Sequence, residues 1–89
     1  MPTISMFYGL IIRMYFFDND HHHKPHIHVE YQGYKAVFEI ATGLIIAGAL
    51  PTKQTRLVSA WVGIHEDELL ADWQLAVNGE PVFKIEPLR

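Results

Sequence analysis

The sequence predicts an α+β fold in which an antiparallel sheet of about four strands packs on one long C-terminal helix. Three observations carry that expectation. Apolar and polar residues alternate through much of the first half of the chain, between glycine-containing turns. From Thr52 to Asn78 the apolar residues recur instead with a helical period. The 89 residues are 49% hydrophobic and include eleven aromatic side chains, enough for one core, while the length leaves no room for a second. A single domain over residues 1–89 is expected.

Thr3 to Tyr8 is rich in β-formers and reads as a short strand, with a turn or bulge at Gly9. Leu10 to Phe17 reads as a strand apolar on both faces, hence one covered twice or central in the sheet. Asp18 to Pro25 is a polar loop whose exit Pro25 stiffens. His26 to Tyr31 and Tyr34 to Ile40 form the clearest hairpin, joined by Gln32-Gly33 as a primed two-residue turn. Pairing Tyr31 with Tyr34 sets Glu30 opposite Lys35, His28 opposite Val37 and His26 opposite Glu39. Ile27, Val29, Tyr31, Tyr34, Ala36, Phe38 and Ile40 then share an apolar face. His26, His28, Glu30, Lys35, Val37 and Glu39 share a polar one. A slip of one residue would exchange the faces and bury the histidines. After a turn at Thr42-Gly43, Leu44 to Ala47 reads as another short strand, ended by Gly48.

Pro51 suits the opening of a helix, where its missing N–H costs little. Val58, Trp61, Val62, His65, Leu69, Trp73, Ala76 and Val77 fall on one stripe of that helix. A straight helix from Thr52 to Asn78 would be roughly 40 Å long. Gly63 is the expected place for a bend or division, and Asn78-Gly79 for the stop. Trp61 and Trp73 are expected as core anchors, and His65 as a core histidine bonded to a backbone carbonyl. Pro81 to Arg89 is an extended tail in which Val82 to Ile85 can add an edge strand.

Composition narrows the function. A net charge of −3 gives no broad surface for neutralising phosphates, so any nucleic-acid contact has to be local. Absence of cysteine excludes disulfides, thiolate chemistry and Cys-type zinc sites. The first residues lack a basic stretch followed by an apolar run, and the nearly apolar Met6–Phe17 segment is interrupted by Arg13 and too short to span a bilayer. A cytoplasmic location without membrane association is expected.

The chemical signal lies in Asp20 to Val29. Five of the six histidines occupy His21, His22, His23, His26 and His28. Two strand histidines at i and i+2 project from one face and can converge on one ion or one scissile group. Two chemistries suit them. Neutral imidazoles bind Zn²⁺ or a similar divalent metal, with His26, His28 and a third histidine from the loop upstream as the ligand set and a carboxylate as a further ligand or behind them. Alternatively His26 and His28 act as acid and base on a phosphodiester, Arg13 or Lys24 stabilises the developing charge and Glu39 fixes the tautomer of His26. A solvated polar sheet face explains any one of these histidines alone; the cluster favours a site.

Pro2-Thr3-Ile4 and Pro25-His26-Ile27-His28-Val29-Glu30-Tyr31 resemble the small bacterial DUF4160 family, whose recurrent core is Asp-His-x-Pro-Pro-His-Phe-His-Val. Gly48-Ala49-Leu50-Pro51, Trp61, His65, Glu68-Leu69, Trp73 and Lys84-Ile85-Glu86-Pro87-Leu88 continue the resemblance. It carries over His22, His26 and His28. The chain departs from the pattern at His21, where the family tends to have Asp, and at Lys24, where it tends to have the first Pro. The resemblance implies a domain of unknown function, encoded beside a DUF2442-type partner protein in pairs that are candidate toxin–antitoxin modules. On that basis the expected function is a toxin-like component acting on RNA. The alternative is a non-catalytic divalent-metal-binding or protein-interaction module. Self-association into a homo-oligomer would suit so short a chain.

Overall fold

A computed structural model describes residues 3–15 and 24–88. Five strands and two helices follow one another as β1 (Thr3–Phe7), β2 (Leu10–Arg13), β3 (His26–Tyr31), β4 (Tyr34–Glu39), β5 (Ile45–Gly48), α1 (Thr52–Ile64) and α2 (Glu66–Val77). The strands form one antiparallel meander in the order β1-β2-β3-β4-β5. The sheet therefore has five strands, not about four. Thr3–Phe7 is a full member because Tyr8 and Gly9, both at positive φ, make a two-residue primed connection into β2.

The expected register of the central hairpin is the observed one. Tyr31 faces Tyr34, Glu30 faces Lys35, His28 faces Val37 and His26 faces Glu39. Gln32 and Gly33 both take positive φ, the signature of a type I′ turn. Ile27, Val29, Ala36, Phe38 and Ile40 are buried on the core face as expected. Tyr34 is not: it flanks the turn and is half-exposed. Strand β2 ends at Arg13, shorter than the expected Leu10–Phe17, and Phe16 and Phe17 lie outside the described residues.

The single long helix is also corrected. Helix α1 stops at Ile64, and His65 (φ −109°, ψ 23°) leaves helical geometry before α2 begins. The break falls at His65, two residues past Gly63. Its reason is size. A straight helix of this length would reach roughly 39 Å, whereas the longest extent of the molecule is 33 Å. The break lets Val58, Trp61 and Val62 of α1 and Leu69 and Trp73 of α2 all enter the core with Ile4, Leu10, Ile12, Ile27 and Phe38. Glu66, Asp67 and Glu68 occupy the first turn of α2, where the positive end of the helix dipole favours them.

The tail is tied down by three backbone groups rather than forming a strand. Trp61 Nε1–H donates to the Glu86 carbonyl (2.8 Å), Ile85 N–H to the Ile4 carbonyl (2.8 Å) and Phe83 N–H to Asp72 Oδ1 (3.0 Å). No helix of the described residues is long and apolar enough to cross a membrane.

Gly48 closes the β4–β5 pairing at φ +75°, and a Cβ there would lie 2.2 Å from the Lys35 carbonyl oxygen. Gly33 has φ +86° with nothing within 4 Å of such a Cβ. Gly33→Ala should thus cost only the left-handed backbone penalty, about 1–2 kcal/mol. Gly48→Ala adds a backbone clash to the same penalty and should cost well above it. Urea unfolding of the two variants checks the order, and equal losses would refute the clash.

Candidate functional site

The site grows out of the strand register. Pairing places Arg13 of β2, His28 of β3, Val37 of β4 and Ala47 of β5 in one row across the sheet. The next row contains Met6, Ile11, Glu30 and Lys35. Both rows project from the face opposite α1, because successive side chains alternate and Ile12, Val29 and Ala36 between them are core residues. Tyr15, His28, Glu30, Lys35, Val37 and Ala47 line a cleft of about 270 Å³ on this face. The Val37 and Ala47 side chains give it an apolar floor between polar walls.

Arg13 and Glu30 form a part-buried ion pair. The guanidinium lies in the row of His28, one strand over, as an electrostatic partner of that histidine would, but its charge is already compensated by Glu30. The His28 ring meets Tyr15 edge-on, with centroids 4.3 Å apart, and is itself partly buried.

His26 departs from its expected place. The polar face was to expose it, yet its exposure is 0%. Its ring lies 4.9 Å from Trp73 and 5.3 Å from His28. The helix break explains this, because it brings Trp73 of α2 to this end of β3. Val37, assigned to the same polar face, is likewise buried.

His26 Nδ1 sits 2.7 Å from the Lys24 carbonyl oxygen. A carbonyl only accepts, so the proton is on Nδ1 and, in the neutral ring, Nε2 is the nitrogen with the lone pair. The sequence reading gave this orienting role to Glu39. The Lys24 backbone supplies it, and Glu39 is engaged with other groups. Glu39 accepts from the Thr42 hydroxyl (2.8 Å) and pairs with Lys24 Nζ (3.2 Å). The Thr42 bond first, then the Lys24 ammonium, hold its carboxyl below the usual value against the opposing effect of burial. The Ile40 N–H donates to the Pro25 carbonyl at 3.0 Å and extends the β3–β4 ladder one step past His26. Lys24 and Pro25 are thereby fixed by three contacts, so the chain enters the site along a determined path.

His21, His22 and His23 lie outside the described residues, as do Asp18 and Asp20. Among the described residues no three histidine, cysteine or carboxylate side chains converge as a metal-ligand set. Of the sequence-derived site, His26 and His28 have their rings in contact, while register alone sets Arg13 opposite His28 and Glu39 opposite His26. His65 lies apart from them. Its Nδ1 meets Glu68 Oε1 at 2.6 Å, a carboxylate in place of the expected backbone carbonyl, and its ring packs 5.5 Å from Trp61.

Asp72 was missed by the sequence reading. It is 3% exposed, accepts Phe83 N–H at Oδ1, and its Oδ2 has no hydrogen-bond partner among the described residues. Burial, the main cause, pushes its carboxyl up, aided by the charge of Glu68 and opposed by the Phe83 bond. A readable signal existed. Asp72 stands three residues after Leu69 and directly before Trp73, on the edge of the apolar stripe.

The two carboxyls predict opposite responses to acid. Asp72 titrates above its unfolded value, so it adds stability as pH falls through its folded pKa and loses it on the way back up. Glu39 titrates below its unfolded value, so its contribution is present above the ordinary carboxylate range and is lost as pH falls through its folded pKa. Asp72→Asn should remove the first effect and Thr42→Val should shrink the second. Urea unfolding from neutral pH down through the carboxylate range, with NMR titration of both carboxyls, checks the signs.

A family model described as a domain of unknown function, DUF4160, matches residues 9–74. That span holds every strand but β1 together with α1 and most of α2. No curated protein and no solved structure matches the chain.

Proposed function

The chain belongs to the DUF4160 family, and from that premise and the arrangement of His26 and His28 we propose a non-catalytic module that binds a divalent transition metal. The observation that carries it is the pair of imidazoles with one tautomer fixed from behind. Backbone-carbonyl acceptance of the far ring N–H is how metal-ligating histidines are oriented, and it aims His26 Nε2 as the donor. Two imidazoles on one tetrahedral Zn²⁺, each at about 2.0–2.1 Å, have ring centroids roughly 5 Å apart. The observed separation is 5.3 Å. His22, four residues before His26, is the third ligand that the family resemblance carries over. Zn²⁺, Ni²⁺ and Cu²⁺ all accept such imidazole donors.

Burial of the site supports binding over turnover. A wholly buried His26 is well placed to hold an ion and poorly placed to meet a polynucleotide. The second reading is the toxin-like one, with acid–base cleavage of RNA and control by a DUF2442-type partner. The observation in its favour is Arg13, directly across from His28. Against it stand the Arg13–Glu30 ion pair, which offsets the cation a phosphodiester would need, and the net charge of −3.

Calorimetry with Zn²⁺, Ni²⁺ and Cu²⁺ separates the readings. Wild-type protein should bind one ion per chain, and His26→Ala/His28→Ala should weaken binding by about tenfold or more, the scale seen when a metal site loses support. Equal binding by the variant would assign all affinity to the loop histidines and end the proposal. RNA cleavage by the metal-free protein, abolished in His28→Ala, would favour the second reading.

A further inference from the structure

The cleft on the outer face of the sheet has a chemical asymmetry that metal binding at His26 and His28 does not use. Its carboxylate, Glu30, is committed to the Arg13 guanidinium. Its donors on either side are uncommitted. Lys35 stands opposite Glu30 in the register, yet among the described residues no carboxylate lies within ion-pair distance of its ammonium. The Tyr15 ring is held edge-on against His28, and its hydroxyl has no hydrogen-bond partner among the described residues. A cleft whose acceptor is spent and whose donors are free selects a ligand that accepts hydrogen bonds and carries negative charge. This preference runs against the net charge of −3, so it belongs to the cleft and not to the chain as a whole.

Size and floor narrow the class. The cleft volume of about 270 Å³ falls just short of the roughly 300–1,000 Å³ of pockets for drug-sized ligands and suits one ring or a short chain. Val37 and Ala47 supply a hydrocarbon floor between the Lys35 and Tyr15 walls, so the body of the ligand is apolar. Among the described residues Lys35 is the one lysine or arginine lining the cleft, and it balances a single negative charge. A phosphate monoester brings about −1.5 to −2 at neutral pH, and the excess would stand beside Glu30. A carboxylate brings one charge.

We propose that the cleft binds a small monocarboxylate, with the carboxylate on the Lys35 ammonium and the apolar body over Val37 and Ala47 against the Tyr15 ring. Neither Lys35 nor the apolar floor belongs to the proposed metal site, so the two readings stand or fall separately.

Amide NMR titrations of the full chain, treated with chelator to remove metal, test it with benzoate, benzamide and phenyl phosphate. Benzamide keeps the shape of benzoate without its charge, and phenyl phosphate keeps the ring with more charge. Benzoate should give saturable shifts centred on His28, Lys35 and Ala47 and bind about tenfold or more tightly than either other probe. Lys35→Met keeps the apolar stem and removes the charge, so it should bring benzoate down to the benzamide level. Lys84→Met, on the tail, should leave benzoate binding unchanged. Both lysines are exposed, so both variants should fold. The proposal is overturned by the absence of a saturable benzoate shift, by benzamide or phenyl phosphate binding as tightly as benzoate, or by a preference that survives Lys35→Met. Loss of binding with Lys84→Met would overturn it as well.

Discussion

The register of the β3–β4 hairpin is the constraint on which the rest of the molecule depends. Its type I′ turn at Gln32-Gly33 fixes which residues face each other, and alternation then decides which side of the sheet each side chain meets. In this register Ile27, Val29, Ala36 and Phe38 close the core. A shift by one would drive the Glu30 carboxylate and the Lys35 ammonium under α1, where unpaired charge is far costlier than the few tenths to 1 kcal/mol a cross-strand pair contributes. The register is held from the far end as well, where the Ile40 N–H reaches the Pro25 carbonyl. Both ends of the hairpin therefore agree, and His26 and His28 inherit a fixed spacing on a rigid element rather than on a loop.

The second determinant is the fit of the helical segment to so small a sheet. Because a straight helix would overrun the molecule, the chain breaks at His65 before α2 begins. Trp73 of α2 then packs on His26, and an otherwise surface histidine is buried. Asp72 beside it is buried too, and its Oδ1 anchors the tail at Phe83. The Trp61 indole N–H anchors it again at Glu86. The tail thus depends on both helices and in turn covers the β1 edge.

What could be read from the sequence and what could not follows the range of the interactions. The hairpin was legible to the residue because a two-residue turn and period-two alternation are local. The burial of Trp61 and Trp73 was legible because they sit on a helical stripe. The position of the break was not, since it depends on the width of the sheet, and Gly63 is a local breaker that the structure did not use. For the same reason the sequence exposed His26. Nothing near it in the chain announces Trp73, forty-seven residues on. The tautomer of His26 was attributed to Glu39 because register puts that residue opposite, but the Lys24 carbonyl reaches Nδ1 from along the chain instead.

This substitution of a backbone carbonyl for a carboxylate changes what the site can do. A carboxylate behind an imidazole stabilises the ring as it gains a proton, which suits a general base that cycles between charged and neutral forms. A backbone carbonyl orients the ring but brings no full charge to balance an imidazolium, and it suits a ligand that stays neutral. With Glu39 committed to Thr42 and Lys24, the structure provides His26 with the second kind of support. Its complete burial beside Trp73 acts in the same direction, because it keeps a polynucleotide away from the ring. His28 is more accessible and lies at the cleft, so a ligand or an exchangeable water would approach from its side. A site closed from behind and open at one side supports the proposed holding of an ion over turnover.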